Sequence, residues 1–221
     1  MNLKFWKKHT AFAGGGLFRM PPQFASTHRL ELPAKREAPP YVDSRPLCLP
    51  SNWQGNQPKC AAYAACGVAE VYSWLECQVP AQFDPDPVYA EAKKLDGDKL
   101  PGTTLLNAYM GCKAQGYFTG WVEPKILENA EDVRFALHRC RVVMLGFWAT
   151  DGWNETSYSS GYIGTAKGSL GGHAVMGCWY DGDGIGFQNS WGTTWGVKGF
   201  GRMTWKQFND QFMQGLAAVE T

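Results

Sequence analysis

Small and apolar residues recur at helical spacing from Cys60 to about Glu76 (CAAYAACGVAEVYSWLE). Tyr63, Gly67, Val71 and Trp74 fall on one face, and Ala64, Val68 and Leu75 on its neighbour. The pattern predicts a mostly buried helix whose first turn holds Cys60. Further helices are expected from about Asp86 to Leu95, with Pro87 in the first turn, and from about Leu105 to Gln115, ended by Gly116. A short fourth helix fits Ala130 to Arg139. From Val142 onward the pattern changes to short apolar runs between glycine-rich turns. Val142–Phe147, His173–Tyr180, Gly184–Asn189 and Gly199–Thr204 read as strands. Helices lead and strands follow, which predicts an α+β fold in two lobes, helical over about 48–120 and β-rich over about 121–221.

Residues 1–40 carry no such periodicity. Gly14–Gly16, Pro21, Pro22, Pro33, Pro39 and Pro40 interrupt them, so they are expected to form an extended arm, with a compact body beginning near Tyr41. The arm holds seven basic residues against Glu31 and Glu37, whereas residues 41–221 hold 14 basic and 18 acidic. A basic arm on a mildly acidic body argues against a nucleic-acid surface. Charge alone cannot order forty residues, because exposed pairs are worth on the order of 0–1 kcal/mol. Phe5, Trp6, Phe12, Leu17, Phe18, Met20 and Phe24 are therefore expected to seat in apolar pockets, with the lysines near solvent.

Composition adds two exclusions. Hydrophobic residues at 44% and charged residues at 19% rule out a disordered chain. The longest apolar run, Val142 to Ala149, is too short to span a membrane and fits a buried strand. The seven cysteines (48, 60, 66, 77, 112, 140 and 178) are odd in number and include no C-x-x-C pair, so spacing proposes neither a disulfide framework nor a zinc site. Ala11–Phe18, broken by three glycines, makes a poor signal-peptide core. Mostly reduced thiols and a cytoplasmic location are expected.

Three short pieces carry candidate chemistry: Gln54-Gly55 with Cys60 six residues after the glutamine; Gly171-Gly172-His173; and Asn189-Ser190-Trp191-Gly192-Thr193-Thr194-Trp195-Gly196. Each alone is weak, since a cysteine in an alanine-rich helix is commonly core and a histidine after two glycines a turn residue. Together they supply a nucleophile, a base and an orienting amide. A helix start favours thiolate through its dipole and unsatisfied N–H groups. A neutral asparagine carbonyl can hold an imidazole in one orientation. The Gln54 amide and the Cys60 backbone N–H are candidate donors to an oxyanion.

On these motifs the chain resembles the papain-like cysteine peptidases, in particular their compact bacterial and viral members, from about Val42 to about Phe208. The resemblance implies a papain-like two-lobe fold with the active site between the lobes. It assigns Cys60 as nucleophile, His173 as general base and acid, Asn189 as the orienting residue and Gln54 as oxyanion donor. It makes Trp191 the shield of the Asn189–His173 bond and, with Trp195, the lining of the leaving-group side. Gly102 would pair its backbone with an extended substrate. No cofactor or metal is implied. Two departures are visible: Ala61 follows the nucleophile where plant and lysosomal members usually carry an aromatic residue, and Gln57 stands where a disulfide cysteine is usual. Lys59, beside Cys60, is a second candidate for lowering the thiol pKa, or else a solvated surface lysine. Cys66, two turns down the helix, is read as core, and His9, His28 and His138 as structural or exposed.

The expected activity is peptide-bond hydrolysis through a thioester acyl-enzyme, acting on polypeptide substrates. Two alternatives stay open: acyl transfer to an amine by the same residues, and a structural or assembly component that keeps the fold and binds a larger particle, such as a virus or secretion apparatus, through residues 1–40. The arm is either such an anchor or an inhibitory leader lying in the cleft. Gly172 is expected to leave a roomy, modestly selective pocket.

Overall fold

The computed structural model describes residues 16–20, 38–97, 100–118 and 122–220. The four expected helices form with ends shifted by a residue or so: α1 (Cys60–Cys77), α2 (Pro85–Asp96), α3 (Leu105–Ala114) and α4 (Ala130–Cys140). Local chemistry sets their limits. Asp84, Thr104 and Asn129 cap α2, α3 and α4 through side-chain oxygens that accept first-turn N–H groups. Gly97 closes α2 in the left-handed region at φ 72°, and Gln78 closes α1 at φ 55°.

The strands are β1 (Leu17–Phe18), β2 (Val42–Asp43), β3 (Thr103–Thr104), β4 (Val122–Leu127), β5 (Val143–Thr150), β6 (Ser169–Tyr180), β7 (Gly184–Gln188), β8 (Phe200–Thr204) and β9 (Phe212–Glu220), with a short helix α5 (Trp205–Gln211) before the last. The main sheet is antiparallel in the order β4-β9-β5-β6-β7-β8, and β2 adds to β6. The fold is a mixed α+β arrangement, with α1, α2 and α3 leading and the sheet following. The expected strands β5 to β8 are present. β4 and β9 were not predicted, for identifiable reasons. Pro124 sits inside β4, which is tolerated because β4 lies at the sheet edge. β9 reads FMQGLAAVE, whose glycine and alanines carry no strand alternation; it is buried between β4 and β5.

The lobes meet where α1 lies on β6. The face it presents there is small: Ala64 and Gly67 line one cavity with Ala174, Val175 and Met176 of β6, while Ala61, Ala62, Ala65 and Ala69 are buried around the rest of the helix. Gly67 comes so close to Met176 of β6 that an added Cβ would stand 3.2 Å from its sulfur. Small residues let a helix backbone approach a sheet closely, and that closeness brings the first turn of α1 to the middle of β6.

Of the arm, the described parts are residues 16–20 and 38–40, and both touch the body: the Pro39 carbonyl accepts the Tyr180 hydroxyl at 2.6 Å. β1 pairs in parallel with β3, Leu17 opposite Thr103. Leu17 and Met20 are buried and Phe18 is partly so, as expected of apolar arm side chains. Phe5, Trp6, Phe12, Phe24, the arm lysines, His9 and His28 lie outside the described residues.

Glu70 is a buried carboxylate on α1. It accepts one bond, from the Phe83 N–H at 3.0 Å, and burial pushes its pKa up to about 7. The folded chain therefore holds a proton that the unfolded chain has lost between about pH 4.5 and 7, and stability falls as pH rises through that window. Glu70→Gln removes this penalty. The variant should melt at a higher temperature than the parent at pH 8 and show little advantage at pH 4, measured by thermal unfolding followed by circular dichroism.

Candidate active site

Cys60 opens α1 and is 0% exposed. The backbone N–H groups of Ala174, the residue after His173, of Ala61 and of Cys60 itself lie near enough to its sulfur to favour the thiolate. Cys60 of α1 and the His173 segment of β6 are thereby neighbours. Burial outweighs these donors and pushes the thiol up to about 11. Lys59 does not serve the thiol: its Nζ lies 2.8 Å from Asp86 Oδ1 and over the Tyr89 ring. Cys66 is buried within α1, as a core residue would be.

His173 lies on β6 opposite Phe147 of β5. Its Nε2 is 2.8 Å from Asn189 Oδ1. The ring is walled by Trp153, edge-on at 5.6 Å between centroids, and by Trp191 at 5.0 Å. Burial pulls the imidazole down to about 4, against the opposing pull of the Asn189 bond. Burial thus favours the neutral thiol and the neutral imidazole.

Asn189, just past β7, is fixed by its surroundings. Its N–H donates to Gly199 O at 2.9 Å, its carbonyl accepts the Ser51 hydroxyl, and its Oδ1 also accepts from the Ser190 N–H. Ser190 then turns to Gln54, accepting the Gln54 N–H on its carbonyl at 2.9 Å and donating its hydroxyl to Gln54 Oε1. With Oε1 so occupied, the Gln54 amide nitrogen points the other way, to Gln57 O at 2.7 Å. Gln54, Cys60, His173 and Asn189 thus form one cluster. Sequence reasoning missed Ser190 and Trp153. Ser190 sits inside the quoted Asn-Ser-Trp-Gly run and could have been read there; Trp153, in a 3-10 turn (Asp151–Glu155), belongs to no motif.

Trp191 and Trp195 part company. Trp191 is at the site and pairs its backbone with Trp53, itself 51% exposed. Trp195 is 1% exposed; it stacks on Trp153 and donates to the Trp153 carbonyl at 3.0 Å. It supports Trp191 from beneath, with the two ring centroids 5.6 Å apart.

The arm crosses the cleft at this cluster. An added Cβ on Gly172, next to His173, would stand 2.4 Å from Leu17 O, and one on Gly102 would stand 2.5 Å from Gly16 O. Gly16 in turn passes the backbone of Pro58, two residues before Cys60. The pairing bond runs from the Thr103 N–H to Gly16 O at 3.0 Å. Gly102 contributes room and a φ of 96°, while its own N–H donates to the Tyr89 hydroxyl. Gln214 on β9 clasps the strand end: its Nε2 donates to Phe18 O at 3.0 Å and its Oε1 accepts from the Met20 N–H at 2.7 Å. The Leu17 side chain fills the space over Gly146.

The electrostatics give a labelling expectation. In the full chain, alkylation of Cys60 by iodoacetamide should be slow at pH 7 and accelerate as pH rises toward about 11, because only the thiolate reacts. Leu17→Glu, which puts a charge into a buried site, should loosen the arm, admit water and shift the profile to lower pH. Peptide mapping of the modified cysteines separates Cys60 from the exposed Cys77.

Sequence comparison finds no matching family model and no matching curated protein. Structural comparison finds many similar chains. Xylellain, a cysteine protease from Xylella fastidiosa, superposes with a TM-score of 0.77 at 16% identity, covering 95% of this chain and 97% of its own. Procathepsin L 3 from the larval midgut of Tenebrio molitor gives 0.72 at 15% identity, over 98% of this chain and 78% of its own. Procathepsin B S9 from Trypanosoma congolense gives 0.71 at 14%, over 97% and 88%. With helices packed on an antiparallel sheet in the same arrangement as these proteases, the chain has the papain-like fold.

Proposed function

We propose that the protein is a papain-like cysteine peptidase whose own N-terminal arm covers the cleft. The observation that carries the reading is the bond between His173 Nε2 and Asn189 Oδ1 at 2.8 Å, on the strand against which the helix that Cys60 opens is packed. Asn189 holds the ring through Nε2, which leaves Nδ1 for exchange with the thiol. Cys60 passes its proton to Nδ1 as its sulfur attacks the scissile carbonyl carbon. The oxyanion that develops is met by the Cys60 N–H and the Gln54 amide, which Ser190 aims. Collapse expels the amine, which takes the proton from His173, and leaves a thioester. Water, deprotonated by His173, then releases the acid and restores the thiol.

The described arm seats on the chain's own body, which supports the reading of an inhibitory leader over an assembly anchor. A chain lying over Gly102 and Gly172 occupies the path that an extended substrate needs. Removing the arm opens that path and rehydrates the thiol and imidazole together.

Deleting residues 1–37, which keeps the Pro39 carbonyl that accepts the Tyr180 hydroxyl, should raise hydrolysis of an unstructured polypeptide by at least about tenfold. Cys60→Ser in the same background should abolish it. Unchanged activity after deletion would sink the leader reading; no activity in a folded deletion variant that titrates with an epoxysuccinyl peptide at no cysteine would sink the peptidase. Ser190→Ala, which frees the Gln54 amide to rotate, should lower kcat by about tenfold or more with KM little changed. Losing an oxyanion donor outright, as in Gln54→Ala, should cost about 10²–10³.

A further inference from the structure

Seven cysteines are free thiols, and four of them neighbour one another in two pairs. Cys66 on α1 lies against Cys112 on α3, and Cys48 lies against Cys178 on β6. The second pair is placed by a tight turn. β2 runs antiparallel to β6 with Asp43 opposite Trp179, and the Ser44 N–H donates to the Cys178 carbonyl at 2.8 Å. A 3-10 turn over Arg45–Leu47 then folds the chain back, so that the Cys48 thiol donates to the Ser44 carbonyl at 3.4 Å. Asp43 pins the turn by gripping the Arg45 guanidinium, with Oδ2 at 2.7 Å from Nη2 and Oδ1 at 2.9 Å from Nε, and the guanidinium stacks on Trp179. Cys178 is fully buried and Cys48 is partly exposed.

We propose that Cys48 and Cys178 are an oxidation site, closed to a disulfide by thiol–disulfide exchange with a small disulfide such as oxidised glutathione. The accessible Cys48 thiolate attacks one sulfur of the reagent, forming a mixed disulfide and releasing one glutathione thiolate. Cys178 gives up its proton and attacks the Cys48 sulfur, which forms the Cys48–Cys178 bond and releases the second glutathione. The two cysteines lose two electrons and two protons; the reagent becomes two thiols. Burial and the Cys48 contact push the Cys178 thiol up, and the Arg45 charge pulls it back, so the second step is the slow one.

The bond has a place in the site's architecture. Cys48 stands six residues before Gln54, and Cys178 five after His173 on the same strand. Closing it ties the limb that leads to the oxyanion donor and nucleophile directly to the strand of the base. Cys66 and Cys112 are likewise neighbours but are both buried, with no exposed member to start exchange. They are an internal control.

The test uses the full chain with Cys60→Ala, incubated in oxidised glutathione, quenched in acid, alkylated in denaturant and digested without reduction. The expected result is one cross-linked peptide joining Cys48 to Cys178, two thiols lost, and Cys66 and Cys112 still alkylated. The melting temperature should rise by roughly 5–10 °C and fall back with dithiothreitol. Cys48→Ser should show neither the cross-link nor the rise. A Cys48–glutathione adduct that persists with Cys178 free overturns the proposal, as does cross-linking to other partners. If the folded chain stays fully reduced, refolding from denaturant in a glutathione redox buffer decides it: a Cys48–Cys178 bond in the refolded protein supports the pairing, and its absence overturns it.

Discussion

The close approach of α1 to β6 is the constraint on which the site depends. A helix lined with leucine would stand off from the sheet, and its first turn would miss Ala174. Gly67 and Ala64 remove that spacing, and the four site residues then follow from chain geometry. Cys60 is carried by the helix, His173 by the strand beneath it and Asn189 by the turn after the neighbouring strand. Gln54 is carried by the segment that Ser190 holds to Asn189. A mixed fold with its chemistry at the seam needs small residues at the seam.

The covered cleft is also a dry one, and dryness sets the state of the dyad. Desolvation favours the neutral form of both groups, raising the Cys60 thiol and lowering the His173 imidazole. The docking itself is finely balanced. Burial of Leu17 and Met20 at about 1.5–3 kcal/mol each, with the Thr103 bond and the two Gln214 bonds at about 1 kcal/mol each, comes to about 6–9 kcal/mol. Ordering the five residues Gly16–Met20 costs about 5–10 kcal/mol. A segment so balanced can leave without unfolding the body.

Much of this was legible in the sequence because the informative features are local. Helical spacing and caps set α1 to α4 within about a residue, and glycine punctuation marks β5 to β8. The papain-like fold was recognisable from Gln54, Cys60, His173 and the Asn189–Gly196 run. What escaped depends on neighbours distant in the chain. β9 is a strand because β4 and β5 flank it, which no window of nine residues reveals. Trp195 belongs to the motif, but its packing against Trp153 and Phe187 shows only in the fold. Gln214 has no motif at all; its role exists only where the arm passes. Nothing in the spacing of Cys48 and Cys178 hints that a turn on β2 folds one onto the other.

The Gln214 clasp has a consequence in time. Met20 and Gln214 are 194 residues apart, so the arm is made long before its clasp. Gln214 lies on β9, the strand that fills the gap between β4 and β5, and a domain of this kind folds as a unit. The strand that completes the sheet is therefore also the one that fastens the arm, so the cover closes in the same event that finishes the body.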